Sequence, residues 1–386
     1  MRGLRVARPA GRRSPALELV RGVDLRLCRG EVLGLVGESG AGKSLTALAL
    51  LGLCPPGLTV SGSVRLLGRE VVGMPERELA GLRGRRIAMV FQDALAALSP
   101  VRRIGDQIGE ALRLHQSPRP GRAAARRTAV GLLDAVGVPE PGRVADAYPH
   151  QVSGGVRQRA MIAVAMANRP DVIVADEPTS ALDTLGQDRV LRALEAARRA
   201  TGAALLLVSH DLGVVAGAAD RVAVMYGGRI VESAPAEALY TRPRMPYTKG
   251  LLGSVPRLDD DTPPTPMPGV PPAPGARGRA CAFAPRCPLA DGVCRGRPPE
   301  LAGADGHVAA CHHGARAAGL GAVELFPPTV RGRGLGGVAG GGAAGGSTAG
   351  GGLGSAAGGS TAGGGLGSAA GGSTAGGGLG SAAGGS

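Results

Sequence analysis

No apolar run of the roughly 18 residues needed to cross a bilayer occurs in this sequence, so no segment of it reads as a transmembrane helix. The N-terminal stretch carries arginines but no apolar h-region, which argues against a secretory signal. Lysine is nearly missing: Lys43 and Lys249 stand alone among 44 basic residues. The formal charge of +14 is therefore almost all arginine. That bias, with abundant Gly, Ala and Pro, fits a GC-rich coding sequence as readily as an anionic partner. Charge alone selects no function. Aromatic residues make up 2% of the 386-residue chain, with no Trp, and none precedes Phe91. Six cysteines without a signal sequence point to the cytoplasm, where thiols stay reduced or bind metal.

Composition divides the chain into three regions. Residues 1–255 alternate strand-like and helix-like apolar patterns, as expected of an α/β protein. Their first strand reads as short, Leu4-Arg5-Val6. Residues 256–315 are Pro-rich and then Cys-rich. Residues 316–386 begin as a mixed linker and pass, from Gly334, into a 13-residue Gly/Ala/Ser/Thr unit repeated from Ala343 to Ser381. With one Leu per unit the repeat cannot offset the entropy of ordering, and a disordered tail without chemistry is expected.

The strongest motif is Gly37-Glu38-Ser39-Gly40-Ala41-Gly42-Lys43-Ser44. It follows a buried-strand pattern, Val32 to Val36, and opens an apolar helix. This is the loop whose backbone N–H groups cradle nucleotide phosphates at a helix N-terminus. Given the glycine and lysine frequencies, an accidental match has a chance of roughly half a percent. Asp171 to Glu177 is an apolar strand ending in two acids. The first, Asp176, is placed to hold Mg²⁺, and the second, Glu177, to take a proton from the attacking water. Ser153-Gly154-Gly155 precedes a helix expected over Ala160 to Asn168, which makes a second anion-binding helix start. A further strand, Leu205 to Ser209, delivers His210.

The order of these motifs, with Gln92, Ser180-Ala181-Leu182-Asp183 and His210 in place, resembles the nucleotide-binding subunit of an ABC transporter. The resemblance covers about 250 residues. It implies a P-loop NTPase of the ABC type, with a RecA-like core, an antiparallel β subdomain and a helical signature subdomain. It also implies ATP and Mg²⁺ as cofactors, Mg²⁺ being held by Ser44, Asp176 and Gln92. Glu177, His210 and Gln92 would be catalytic, Ser153, Gly154 and Gly155 would close over the partner's ATP, and Asp183 would lie in the D-loop. Finer likeness, in Phe91 to Pro100, Tyr148-Pro149-His150-Gln151 and Met245 to Leu252, points to the dipeptide/oligopeptide and nickel uptake branch. The expected partners are a second ATPase subunit, so that the pair is a heterodimer, two membrane permeases and an extracytoplasmic substrate-binding protein, at the cytoplasmic face of the membrane. No nucleic acid is expected. The alternative, a non-transport ABC ATPase acting on DNA or the ribosome, usually carries a second cassette or a long coiled coil, and neither pattern occurs here. A degenerate, purely structural subunit is disfavoured by the intact Lys43, Asp176, Glu177 and His210.

Two departures stand out. Val156 replaces the glutamine frequent after the signature glycines. No aromatic precedes the P-loop to stack on adenine, which leaves an arginine such as Arg8, Arg12 or Arg13 for that role and implies weak base selectivity. In the extension, Cys281, Cys287, Cys294 and Cys311 are spaced C-x5-C-x6-C-x16-C. The C-x2-C pairs of zinc ribbons are absent, whereas four thiolates can hold an iron–sulfur cluster. Peptide-importer subunits carry a similar cysteine set, which favours a [4Fe-4S] cluster. Zinc, with His307, His312 or His313 recruited, and free thiols remain alternatives. Cys28 and Cys54 read as buried cysteines, and Lys249 as either a motif residue or a solvated surface cation.

Overall fold

The computed structural model describes residues 1–11, 15–180, 182–256, 264–274, 278 and 280–327, all within one compact unit, Met1–Val330. The repeat tail and its expected disorder lie outside the described residues.

Strands β1 (Arg2–Arg8) and β2 (Leu17–Val23) pair antiparallel, and β3 (Val32–Val36) leads into the P-loop. β4 (Thr59–Ser63) pairs with β1 to complete a three-stranded sheet, and β5 (Arg65–Leu66) and β6 (Arg69–Glu70) form a ribbon. The other strands are β7 (Ile87–Val90), β8 (Val172–Asp176), β9 (Ala204–Ser209), β10 (Arg221–Tyr226), β11 (Arg229–Pro235), β12 (Ala302–Ala304) and β13 (His307–Ala309). With β3 they build an eight-stranded mixed sheet, in the order β12-β13-β11-β10-β3-β9-β8-β7. β1 is longer than the short stretch Leu4 to Val6 suggests because it has a partner on each side, and paired backbone carries Arg2 and Arg8 into the ladder.

Every residue of β3 and of β9 is buried, as a parallel sheet covered on both faces requires. Strand alternation then sorts their side chains into two cores. Leu33, Leu35, Val174, Leu206 and Val208 face the core shared with the antiparallel sheet. Val32, Val36, Ile173, Ala175, Leu205 and Leu207 face the core shared with the helices Ile104–His115, Arg122–Ala135 and Gly154–Met166. The last of these starts well before Ala160. Ser153 caps it, its Oγ accepting the Val156 N–H at 3.4 Å, so the glycines of the signature are its first turn.

The Cys-rich segment joins the main sheet. β13 pairs with β11 and β12 with β13, so both strands extend the sheet past β11. Four of the chain's few rings meet at this junction: Tyr226, Tyr247, Phe283 and Phe326, with successive centroids 4.4 to 6.5 Å apart. Lys249 is not a surface cation. It is 7% exposed, and its ammonium donates to the carbonyls of Leu320 (2.5 Å) and Ala318 (3.3 Å), which favours a cation at the end of the helix Gly314–Ala318. Cys28 is likewise not buried. It is exposed on the turn before β3, where its N–H donates to the Glu31 carboxylate, while Cys54 is partly buried.

Candidate active site

The carboxyl ends of β3, β9 and β8 lie side by side, with Val36 opposite Ser209 and Val208 opposite Asp176. Each ends in a segment singled out from the sequence: the P-loop after β3, His210 after β9, and Asp176-Glu177 at the end of β8. In a sheet of this kind ligands bind outside these strand ends.

Gly37 to Gly42 wrap from β3 into the helix Lys43–Leu50. The wrap needs glycine at two points. Gly37 has φ 152° and a Cβ there would lie 2.2 Å from the Met225 carbonyl oxygen; Gly42 has φ 108° and its Cβ would meet the Met225 methyl at 2.8 Å. Lys43 is 4% exposed, and its ammonium folds back on the loop, donating to the carbonyls of Gly37 (2.8 Å) and Glu38 (3.2 Å). Burial pulls its pKa down against the pull of Glu177 and Asp176. The Ser44 hydroxyl donates to Asp176 Oδ1 at 3.1 Å. Asp176 is 6% exposed, and desolvation raises its pKa despite Ser44 and Lys43. Two oxygens facing one another from a hydroxyl and a buried carboxylate suit a hard divalent cation.

Glu177 is the hub. Its Oε1 lies 3.8 Å from the Lys43 ammonium, and its Oε2 lies 3.2 Å from His210 Nδ1 and accepts from Gln92 Nε2 at 3.4 Å. Its backbone is left-handed, φ 46°, a strained conformation for a residue with a Cβ. The strain is held by its N–H donating to Val208 O (2.9 Å) and by its carbonyl accepting from the Ser180 N–H and hydroxyl. A carboxylate fixed between an ammonium, an imidazole and an amide is placed to accept a proton from a water beside the loop.

Lys43, Ser44, Gln92, Asp176, Glu177 and His210 therefore come together. Ser153, Gly154 and Gly155 sit in the helical region, with local bonds: Ser153 Oγ to Val156, and the Gly155 carbonyl accepting from Arg159 Nε. Asp183 caps the helix Thr184–Thr201 through Gly186 N–H at 2.7 Å; Ala181 beside it lies outside the described residues. Arg8 ends β1, and Arg12 and Arg13 lie outside the described residues. Sequence reasoning missed Gln158. It is 4% exposed, on the signature helix, and its amide donates to the Phe91 carbonyl at 3.2 Å, joining that helix to the segment carrying Gln92. A polar residue on a helix buried nearly all round is the signal that could have found it.

Cys281, Cys287, Cys294 and Cys311 are free thiols. Burial raises the pKa of Cys281, of Cys311 and of Cys287, the last to about 11, and the charges of neighbouring thiols, Cys294 among them, push all three the same way. They thus share one neighbourhood. Yet among the described residues no three of them have sulfurs mutually within 4.8 Å; the one trio at that range is Asp291, Cys294 and His313. A single tetrathiolate zinc, at about 2.3 Å per Zn–S bond, needs a tighter set. His307 is committed to Glu232 at 2.7 Å and His312 to the Arg297 carbonyl at 3.1 Å.

A glycine loop between strand and helix, with an acidic pair and a histidine on neighbouring strand ends, defines a P-loop NTPase of the ATP-binding-cassette class. Residues 20–180 match the family model described as ABC transporter, and residues 231–294 the one described as oligopeptide/dipeptide transporter, C-terminal region. The oligopeptide transport ATP-binding protein OppD of Mycobacterium tuberculosis is 51% identical over 310 residues, 80% of this chain and 50% of that protein. The dipeptide transport ATP-binding protein DppD of Bacillus subtilis is 43% identical over 299 residues, 76% of this chain and 89% of that protein. The chain thus spans half the length of the mycobacterial relative and nearly all of the Bacillus one. Among solved structures, that of MJ0796, a dimeric bacterial ABC transporter cassette, matches with a TM-score of 0.55 at 25% identity, over 61% of this chain and 97% of its own. The chain belongs to the ATP-binding subunits of the ABC transporter family, in the oligopeptide/dipeptide branch. Among the described residues no helix is long and apolar enough to cross a membrane.

Proposed function

We propose that this chain hydrolyses ATP to power uptake of oligopeptides or dipeptides, as a peripheral subunit at the cytoplasmic face of the membrane. Residues 1–255 serve as the nucleotide-binding domain, 256–315 as the extension and 316–386 as a linker and tail. The observation that carries the reading is the Glu177 carboxylate set between Lys43, Gln92 and His210 at the mouth of the P-loop. In this reading Gly37 to Ser44 bind the phosphates, Lys43 neutralising β/γ charge. Ser44, Asp176 and Gln92 hold Mg²⁺, which when bound screens the charge on the phosphates. Glu177 is the general base, and His210 stabilises charge on the γ-phosphate. Ser153, Gly154 and Gly155 act on ATP bound to a partner ATPase, with Asp183 at the seam. Two permeases and an extracytoplasmic binding protein complete the machine. The relatives' names and the C-terminal region support transport over work on DNA or the ribosome.

The four thiols fit a multi-iron cluster better than a single zinc: they lie in one neighbourhood, carry no disulfide, and no three of their sulfurs stand mutually within 4.8 Å. Cys281, Cys287, Cys294 and Cys311 would hold a [4Fe-4S] cluster, which would tie together a segment with little core of its own.

The test is affinity capture of the tagged, full-length chain from solubilised membranes, prepared anaerobically. Two multi-spanning permeases, a second ATPase and a binding lipoprotein are expected, in a brown preparation carrying iron and acid-labile sulfide. Ribosomal or DNA-processing companions would overturn the transport reading, and a colourless protein without iron would remove the cluster.

A further inference from the structure

In the Cys-rich extension, the side chain of Arg286 reaches the nucleotide loop. Arg286, one residue before Cys287, has a side chain only 5% exposed. It grips the P-loop residue Glu38 with both prongs: Nη1 donates to Oε2 at 2.8 Å and Nη2 to Oε1 at 3.0 Å, across 248 positions of sequence. The remaining groups around it fix its plane. Nε donates to the Pro268 carbonyl at 2.9 Å, Nη1 also reaches the Tyr226 hydroxyl at 3.4 Å, and the guanidinium carbon stands 6.0 Å and 5.8 Å from the Tyr226 and Phe283 ring centres. On the loop's own backbone, the Glu38 N–H donates to the Tyr247 hydroxyl at 2.9 Å. Glu38 is thus held at both its carboxylate and its amide by groups from outside the loop.

Two physical consequences follow for a bound polyphosphate. An unneutralised carboxylate in the loop repels the phosphates, and the repulsion is stronger at a half-buried carboxylate, Glu38 being 23% exposed, than in bulk water. The Glu38 carbonyl also accepts from Lys43, so whatever fixes the Glu38 backbone fixes where the lysine ammonium waits. Planar two-pronged pairing is specific to arginine; a lysine would supply the charge without the geometry.

We infer that Arg286 is a positioning residue of the nucleotide site: through it the Cys-rich extension neutralises and fixes Glu38, and so sets the affinity of the P-loop for ATP. The inference rests on the reading of the P-loop as the ATP site and goes beyond it, because it makes a residue of the peptide-branch extension part of nucleotide binding. A pair that merely stapled the extension to the core would lower the melting temperature and leave nucleotide affinity alone.

The experiment compares the full-length wild type with Arg286→Met, Arg286→Lys, Glu38→Gln and the Glu38→Gln/Arg286→Met double variant. It reads the equilibrium affinity for MgADP, KM and kcat for ATP, and melting temperature. Arg286→Met is expected to weaken MgADP binding about tenfold and raise KM with it, while kcat stays within about twofold. In the double variant most of that loss is recovered, because the unpaired carboxylate is gone. Arg286→Lys loses about threefold, retaining charge without the fork. Unchanged affinity in Arg286→Met, with melting alone affected, overturns the inference, and so do losses that simply add in the double variant. Should Arg286→Met fail to fold, Arg286→Lys decides: wild-type affinity in that variant overturns it. A wild type that binds no MgADP overturns the ATP-site reading itself, whereas normal wild-type binding beside unaffected variants overturns the inference alone.

Discussion

Asp176 is buried at 6% exposure within reach of Ser44, and the cost of that burial appears in its ionisation. Desolvation raises its pKa in the folded chain, so the folded state holds the proton more tightly than the unfolded state. By linkage, the nucleotide-free fold loses stability as pH rises from the ordinary carboxylate value of about 3.9 through the raised one, and stays lower above it. Asp176→Asn keeps the shape and removes the charge. Without nucleotide, its melting temperature at neutral pH is expected to exceed the wild type's by a few degrees, with a flatter pH profile. ATP turnover is expected to be lost, since the neutral amide cannot offer an anionic ligand to Mg²⁺. Melting curves of both proteins from about pH 4 to about pH 7 check this; parallel profiles would show that Asp176 is not the group responsible.

At the level of elements, the strand that feeds the P-loop is pressed against a helix. A Cβ at Gly34 in β3 would stand 2.3 Å from Val215 Cγ1 and 3.4 Å from Ala219 Cβ, and Val215 lies in the short helix Leu212–Ala216 after His210. Gly34→Ala therefore overpacks the seam between β3 and the histidine segment and is expected to cost about 1–3 kcal/mol. An unshifted urea midpoint would mean the helix yields freely. The same strand shows why so much could be read from sequence. Val32 to Val36 and Leu205 to Ser209 declare themselves as unbroken apolar runs, and the loop and acids at their ends are local motifs. What escaped reading depends on distant partners. Lys249 is buried because a helix end more than sixty residues later needs a cation, and Arg286 matters because Glu38 lies 248 positions away. β12 and β13 are three residues each, too short for a period-two pattern to emerge, and they exist because β11 offers an open edge. The signature helix, expected over Ala160 to Asn168, begins at Gly154 because Ser153 caps the two glycines into its first turn.

For the whole molecule, the site is half a site in the proposed reading. Lys43, Ser44, Gln92, Asp176, Glu177 and His210 assemble around one space, while Ser153 to Gly155 spend their bonds inside the helical region. A helix start with spare N–H groups and a positive dipole end is suited to an anion, and in the proposed reading that anion is ATP bound to the other ATPase subunit. Nucleotide is then part of the interface, and the pair holds together only while it remains unhydrolysed. Glu177→Gln separates the two roles, because glutamine keeps the shape and one acceptor oxygen but cannot accept a proton from water. Turnover is expected to fall by roughly 10²–10⁴ with ATP binding retained. With MgATP, the variant is expected to stay joined to a second ATPase subunit through size-exclusion chromatography, and the wild type to release it as ATP is consumed. Undiminished turnover would remove Glu177 from the chemistry. Lost turnover without any ATP-dependent association would leave Glu177 as the base but show that Ser153 to Gly155 do not close over a partner's nucleotide.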